Sequence, residues 1–278
     1  MAVINTNTTA LYSQAALKTN ARAMDTTMQQ LSTGVRINSA KDDAAGLAIS
    51  QNMTSQIRGL NMAVRNLNDG INMMQTAEGS MIEQSNMLQR MRELAVQASN
   101  GTYSDVQRGY LDLEFQALGS QINKIATETK WNDQPLLTGT TGAGTGTFTF
   151  QSGKASGETV QVTISAMTIS SGLGVTAGTN IGGAVSASAA IAILGTALEK
   201  INVQRAAIGA AINQMTYAAD NITNVASNTT QSRSTILDTD YAAASTQLAK
   251  NQIIQQAATA MLAQANQQPQ SVMALLKG

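Results

Sequence analysis

Between Met53 and Ala95 the chain steps through Met53, Ile57, Leu60, Val64, Leu67, Ile71, Met74, Glu78, Met81, Ser85, Leu88, Arg92 and Ala95, alternately by four and by three residues. Most of these positions are apolar. A 3.5-residue repeat held this long predicts a helix that packs lengthwise against other helices. Run from Ala44 to Asn100, it would be about 85 Å long at 1.5 Å per residue. A core that deep does not fit a compact globule of this size, so the expected architecture is elongated, with the remaining chain supplying partners along its length.

The remainder repeats the theme. Leu17, Ala21, Met24, Met28, Leu31 and Val35 form a shorter N-terminal stripe, closed by Gly34 and the polar run Asn38-Ser39-Ala40-Lys41-Asp42-Asp43. Ser39 and Asp42 resemble a capping arrangement for the long helix. Asn100-Gly101 suits a left-handed helix stop. A helix over about 104–129 follows, striped by Leu111, Phe115, Leu118, Ile122 and Ile125, and the short connection predicts an antiparallel hairpin of helices. From Thr138 to about Gly183 glycine is dense, and Thr147-Phe148-Thr149-Phe150 and Thr159-Val160-Gln161-Val162 alternate as strands do. From about Ser188 the long repeat resumes: Ile191, Leu194, Leu198, Ile201, Arg205, Ile208, Ile212, Met215, Ala219 and Ile222. A polar break at 232–240 precedes a last alanine-rich helix carrying Leu248, Ile253, Ile254, Met261 and Leu262. The fold expected is mainly α: an elongated antiparallel helical bundle, terminal coiled-coil helices at either end of the chain, and a small β-hairpin tip.

Both terminal helices are amphipathic and set off by polar breaks, so each must bury its stripe on the other or on a neighbouring molecule. Leu17, Met24, Met28, Leu31 and Val35 with Leu248, Ile254, Met261 and Leu262 are therefore the candidate polymerisation stripes.

Composition narrows the function. The 278 residues contain neither cysteine nor histidine, which removes disulfides, thiolate nucleophiles, imidazole bases and the commonest zinc ligands. Lys plus Arg and Asp plus Glu are 17 each, so no net field favours nucleic acid or an anionic membrane. Charged residues are 12% of the chain, about half the share typical of soluble domains, which suits like surfaces packed side by side. The opening Met1-Ala2-Val3-Ile4-Asn5 has no secretory signal character. No catalytic, cofactor or metal site is expected, and the chain does not read as an enzyme.

Three runs carry a family resemblance: Leu31-Ser32-Thr33-Gly34-Val35-Arg36-Ile37-Asn38-Ser39-Ala40-Lys41-Asp42-Asp43-Ala44-Ala45-Gly46-Leu47, Leu88-Gln89-Arg90-Met91-Arg92-Glu93-Leu94-Ala95, and Leu262-Ala263-Gln264-Ala265-Asn266-Gln267-Gln268-Pro269. They resemble bacterial flagellin over about 1–137 and 190–278, in a short form lacking large outer domains. The resemblance implies a secreted structural subunit that polymerises into the extracellular flagellar filament for motility and is exported unfolded through the flagellar type III system. It further implies an inner tube built from 1–40 and 237–278, and an outer core from 41–236 with its β-rich tip at about 138–187. The implied partners are other copies of the chain, an export chaperone on the C-terminal segment, and cap and hook-associated proteins. A hook–filament junction protein and a signalling coiled coil are the alternatives.

Arg90 and Glu114 each lie twelve residues from Thr102, so an antiparallel hairpin sets them at one height on adjacent helices. The seam through Leu88, Arg92 and Ala95 leaves Leu94 off the core-facing line, expected exposed. Matching positions in many flagellins face the innate-immune Toll-like receptor, so the resemblance makes Arg90, Leu94 and Glu114 a candidate recognition site.

Overall fold

The computed structural model describes residues 6–140, 146–176 and 178–277, with side chains as far as Gln267. Five helices carry most of the chain: α1 Thr8–Thr33, α2 Ala44–Ser99, α3 Asp105–Glu128, α4 Ala184–Leu237 and α5 Tyr241–Lys277. Two antiparallel strand pairs join α3 to α4. They are β1 (Lys130–Trp131) with β2 (Gln134–Pro135), and β3 (Thr147–Gln151) with β4 (Thr159–Thr163), the latter in the register Phe148↔Val162 and Phe150↔Val160. Residues 141–145 and 177 of the expected tip lie outside the described residues. The chain divides into two compact units, Gln56–Ser227, and Met1–Ser55 with Asn228–Gly278.

In the unit spanning Gln56–Ser227, α2, α3 and α4 share one core. The α2 seam is a true heptad stripe, but half of it is shifted from the expected one. Leu60, Leu67, Met74, Met81, Leu88 and Ala95 are buried as expected, and so is Ser85. Ala63, Gly70, Ala77, Gln84 and Met91 are buried one residue before the expected Val64, Ile71, Glu78, Ser85 and Arg92, and Ala98 continues their line. On α4 the same shift places Ala190, Ala197, Gln204 and Ala211 inside and leaves Ile191, Leu198 and Ile212 partly buried at the margin. A 3.5-residue repeat admits both solutions, and close packing selects the one with Ala or Gly at most of the alternate positions. Arg92 is consequently exposed, and Glu78 and Arg205 reach each other at the margin, 3.8 Å apart. By length and composition α4 is the one described helix that could cross a membrane, but its apolar stripe serves this core.

The β3–β4 hairpin lies along the helices rather than standing off their end. α3 stops where the Thr129 hydroxyl meets that of Ser80, at 3.1 Å, and the hairpin covers the α2 seam beyond that point. Phe150 sits so close to Gly70 that a Cβ there would stand 2.9 Å from its ring and 3.1 Å from the Met215 sulfur. Two buried glutamines tie the following segment down. The Gln84 side-chain amide donates to the carbonyls of Ile122 and Met167, both at 3.2 Å, and Gln204 donates to Thr163 O at 2.9 Å while accepting from Ser165 N at 3.2 Å.

The turn between α2 and α3 needs no left-handed glycine: Gly101 is absent from the positive-φ residues. Instead the buried Arg108 guanidinium donates to the last carbonyls of the turn, Ala98 O at 2.8 Å and Asn100 O at 3.1 Å, and pairs with Asp105 at 2.8 Å. A cation at a helix C-terminus both satisfies orphan carbonyls and complements the macrodipole. Ser104 caps α3 through a full capping box with Gln107.

Candidate assembly surface

In the unit made by the two chain ends, α1 and α5 run antiparallel and pack on each other. Of the two alternatives for the terminal stripes, burial on each other or on a neighbouring molecule, the first is therefore met within one chain. The shared seam is poor in large apolar groups. Its buried positions are Ala10, Asn20 and Thr27 on α1, against Ala244, Asn251 and Ala265 on α5. Register is held by polar bonds to backbone: Asn20 Nδ2 donates to Asn251 O and Asn7 Nδ2 to Ala265 O, both at 2.8 Å. A buried Asn at a seam position specifies alignment at a cost in stability.

The sequence-predicted stripes divide accordingly. Leu17, Met24, Leu31, Val35, Leu248 and Leu262 are half-buried along the seam, whereas Met28, Ile254 and Met261 are exposed. Leu11, Tyr12 and Ile253, which periodicity alone did not single out as stripe residues, are exposed too. The pair thus satisfies part of its apolar surface and leaves large groups on its outer faces. The signal that finds the latter is that α1 and α5 carry more apolar positions than one two-helix seam can bury.

The two polar breaks clasp one another. Val35 and Asp238 form a β-bridge, with Arg36 N donating to Leu237 O at 2.6 Å and Thr239 N to Gly34 O at 3.0 Å. Arg36 also donates through its side chain to Ile236 O at 2.8 Å, and the Tyr241 hydroxyl to Leu31 O at 3.2 Å. Gly34 ends α1 at φ 73°, the left-handed stop expected elsewhere, and the Tyr241 hydroxyl stands 3.2 Å from where a Cβ would be. The cap of α2 is Asp43, whose Oδ1 accepts from Gly46 N at 2.8 Å, rather than Ser39. Asp42 staples the preceding loop, accepting from Ser39 Oγ at 3.0 Å, Ser39 N at 2.9 Å and Asn38 N at 3.2 Å. Partial desolvation pushes the Asp42 pKa up, but these hydrogen bonds and the charge of Lys41 together outweigh it and hold the carboxyl below its ordinary value.

In the other unit, Arg90 and Glu114 meet across α2 and α3, Nε to Oε1 at 2.9 Å, and Arg90 also reaches Glu93 at 3.1 Å. The bonds to Glu114 and then Glu93 raise the already high pKa of the guanidinium. Leu94 does not sit exposed beside them. It is 1% exposed, within the core. The shift of the α2 seam explains the error: with Met91 and Ala98 facing inward, Leu94 falls beside Ala95 on the buried line.

Family models match most of the chain, "Bacterial flagellin N-terminal helical region" over residues 4–141 and "Bacterial flagellin C-terminal helical region" over 191–276. The chain is 40% identical over 285 residues to a flagellar filament 31.3 kDa core protein of Treponema maltophilum, covering 99% of this chain and 100% of that one. It is 39% identical over 275 residues to a flagellin of Halalkalibacterium halodurans, with 99% and 100% coverage. Against Flagellin B of Vibrio cholerae identity is 35% over 371 residues, covering 98% and 99%. Among solved structures, Bacillus cereus flagellin is similar at a TM-score of 0.50 and 33% identity, over 57% of this chain and 88% of that one.

Proposed function

The chain belongs to the bacterial flagellin family, and we propose on that premise that α1 and α5 form the surface through which its copies join. The protein is a structural subunit of the extracellular flagellar filament, serves motility and is not an enzyme. The observation that carries the assembly reading is the set of large apolar groups left exposed on both helices of the terminal pair. A contact repeated head-to-tail without closing yields an open helical polymer. Under this reading residues 1–40 and 237–278 form the inner tube and 41–236 the outer body. Ile253→Gln with Ile254→Gln removes two apolar anchors worth roughly 1.5–3 kcal/mol each when fully buried. Since about 1.4 kcal/mol is tenfold in affinity, addition to filament seeds should slow by more than tenfold. Elongation at the parental rate, followed by electron microscopy or light scattering, would exclude this surface.

Export unfolded through the flagellar type III apparatus fits a chain without disulfides whose terminal helices share only a weak seam. Cells lacking that apparatus should retain the subunit, and its release from such cells would rule the route out. A chaperone on 237–278, with cap and hook-associated proteins at the filament ends, completes the reading. Chaperone binding unaffected by removal of 237–278 would exclude that segment.

A second reading concerns the Arg90–Glu114 pair, half-exposed and positioned across two helices, as a contact for the flagellin-sensing Toll-like receptor. Leu94 supports the pair from the core instead of touching the receptor. Monomer carrying Arg90→Ala or Glu114→Ala should lose receptor activation without losing helicity. Leu94→Ala should lower stability first. Undiminished signalling by both charge variants would sink the assignment.

A further inference from the structure

With no cysteine and no histidine in the chain, the methionine thioethers are its softest nucleophiles. Two sets among the described residues stand at the extremes of exposure, with Met24, Met53 and Met87 half-buried between them. Met73, Met74, Met81, Met91, Met167 and Met215 are buried in the core of the Gln56–Ser227 unit, at 5% exposure or less. Met28 on α1 is 53% exposed and Met261 on α5 is 65% exposed, each on an outer face of the terminal pair and next to a seam residue, Thr27 and Leu262 respectively. Met62, exposed in the other unit, differs in its electronics: its sulfur accepts a hydrogen bond from Arg65 Nη2 at 2.7 Å, which engages a lone pair. Met28 and Met261 have no such donor among the described residues.

We propose that Met28 and Met261 form a peroxide-sensitive modification site that removes a subunit from the pool able to extend the filament. This rests on the reading of α1 and α5 as the assembly surface. A sulfur lone pair attacks one oxygen of hydrogen peroxide, the O–O bond breaks, and the departing hydroxide takes the proton of the transferred oxygen and leaves as water. Sulfur loses two electrons and peroxide gains them. The product exchanges a flexible apolar group for a polar acceptor. At a contact that must become dry, an unpaired sulfoxide oxygen opposes burial. The free subunit is sensitive, and the assembled one is shielded by its neighbours.

The test uses the full chain and no variant at first. Monomer is partly oxidised with hydrogen peroxide and offered to filament seeds. Sulfoxide at each methionine is then measured by peptide mass spectrometry in the filaments and in the residual soluble pool. Sulfoxide at Met28 and Met261 should be several-fold depleted from the filaments, and equal fractions in both pools would overturn the proposal. In parallel, preformed filaments are treated with the same peroxide. If Met28 and Met261 oxidise there as fast as in monomer, the assembly-surface reading itself fails. If they are shielded yet sulfoxide is not excluded, only the oxidation proposal fails. A Met28→Leu, Met261→Leu chain, compared with its own untreated elongation rate, should lose a several-fold smaller fraction of that rate to a given peroxide dose than the parent loses of its own, and equal fractional loss in both would count against these two sites.

Discussion

Gly70 and Gly79 both lie inside α2, and their surroundings give them opposite substitution behaviour. At Gly79 nothing lies within 4 Å of an added Cβ, so Gly79→Ala should stabilise by up to about 1 kcal/mol through helix propensity. At Gly70 the same Cβ meets Phe150 and Met215. Overpacking there costs about 1–3 kcal/mol, so the propensity gain is outweighed and the melting temperature should fall. Thermal circular dichroism of the two variants checks the pair, and a rise for both would show that the hairpin yields freely. Arg108 is the other residue with a large stake, because its fork serves two carbonyls and a carboxylate. Arg108→Ala should cost about 1–3 kcal/mol in urea denaturation by leaving buried acceptors unmet, and Arg108→Lys should recover only part, lacking the planar fork. Asp42 gives a pH signature. Its folded pKa lies below the ordinary 3.8, so its hydrogen bonds contribute fully above that value and are lost as pH falls through the depressed one. Amide exchange at Asn38 and Ser39 should accelerate in that acid window relative to neighbouring helix amides, and should show no such step in Asp42→Asn.

Among the elements, the α1–α5 pair shows how a coiled coil can be specified without being strong. Asn251 lends its backbone carbonyl to Asn20, while its own side-chain amide nitrogen is buried with no partner among the described residues. Asn251→Leu keeps the backbone acceptor and removes the unpartnered nitrogen, at the loss of the bond from Gln247 Nε2 to Asn251 Oδ1 at 3.2 Å, so the pair should gain about 1 kcal/mol and its amides should exchange more slowly. Unchanged exchange would argue that this amide finds water. The pattern of α1 and α5 announced their amphipathic character and their polar breaks, but not that Ala10, Asn20 and Thr27 would take the inside. That choice follows from the close approach of two helices, which favours small groups at the seam and turns Met28, Ile254 and Met261 outward.

At the scale of the whole molecule, the proposed assembly surface is built from segments far apart in sequence and adjacent in space. A chain lacking 1–38 and 237–278 should remain helical by circular dichroism yet fail to add to filament seeds, and filaments growing from it would refute the role given to α1 and α5. Much of this was legible in the residues: the long heptads of α2 and α4, the helical hairpin that sets Arg90 opposite Glu114, the strands at 147–151 and 159–163, and the breaks that isolate the termini. Local periodicity determines these because it needs only the residues of one element. It cannot determine which of two heptad solutions sharing Leu60, Leu67, Met74, Met81 and Leu88 turns inward. That was decided by neighbours: Phe150 demanding the bare backbone of Gly70, and Gln84 reaching Ile122 and Met167. The same rotation buried Leu94 and exposed Arg92, because a side chain's surroundings belong to the elements packed against it and not to its own helix.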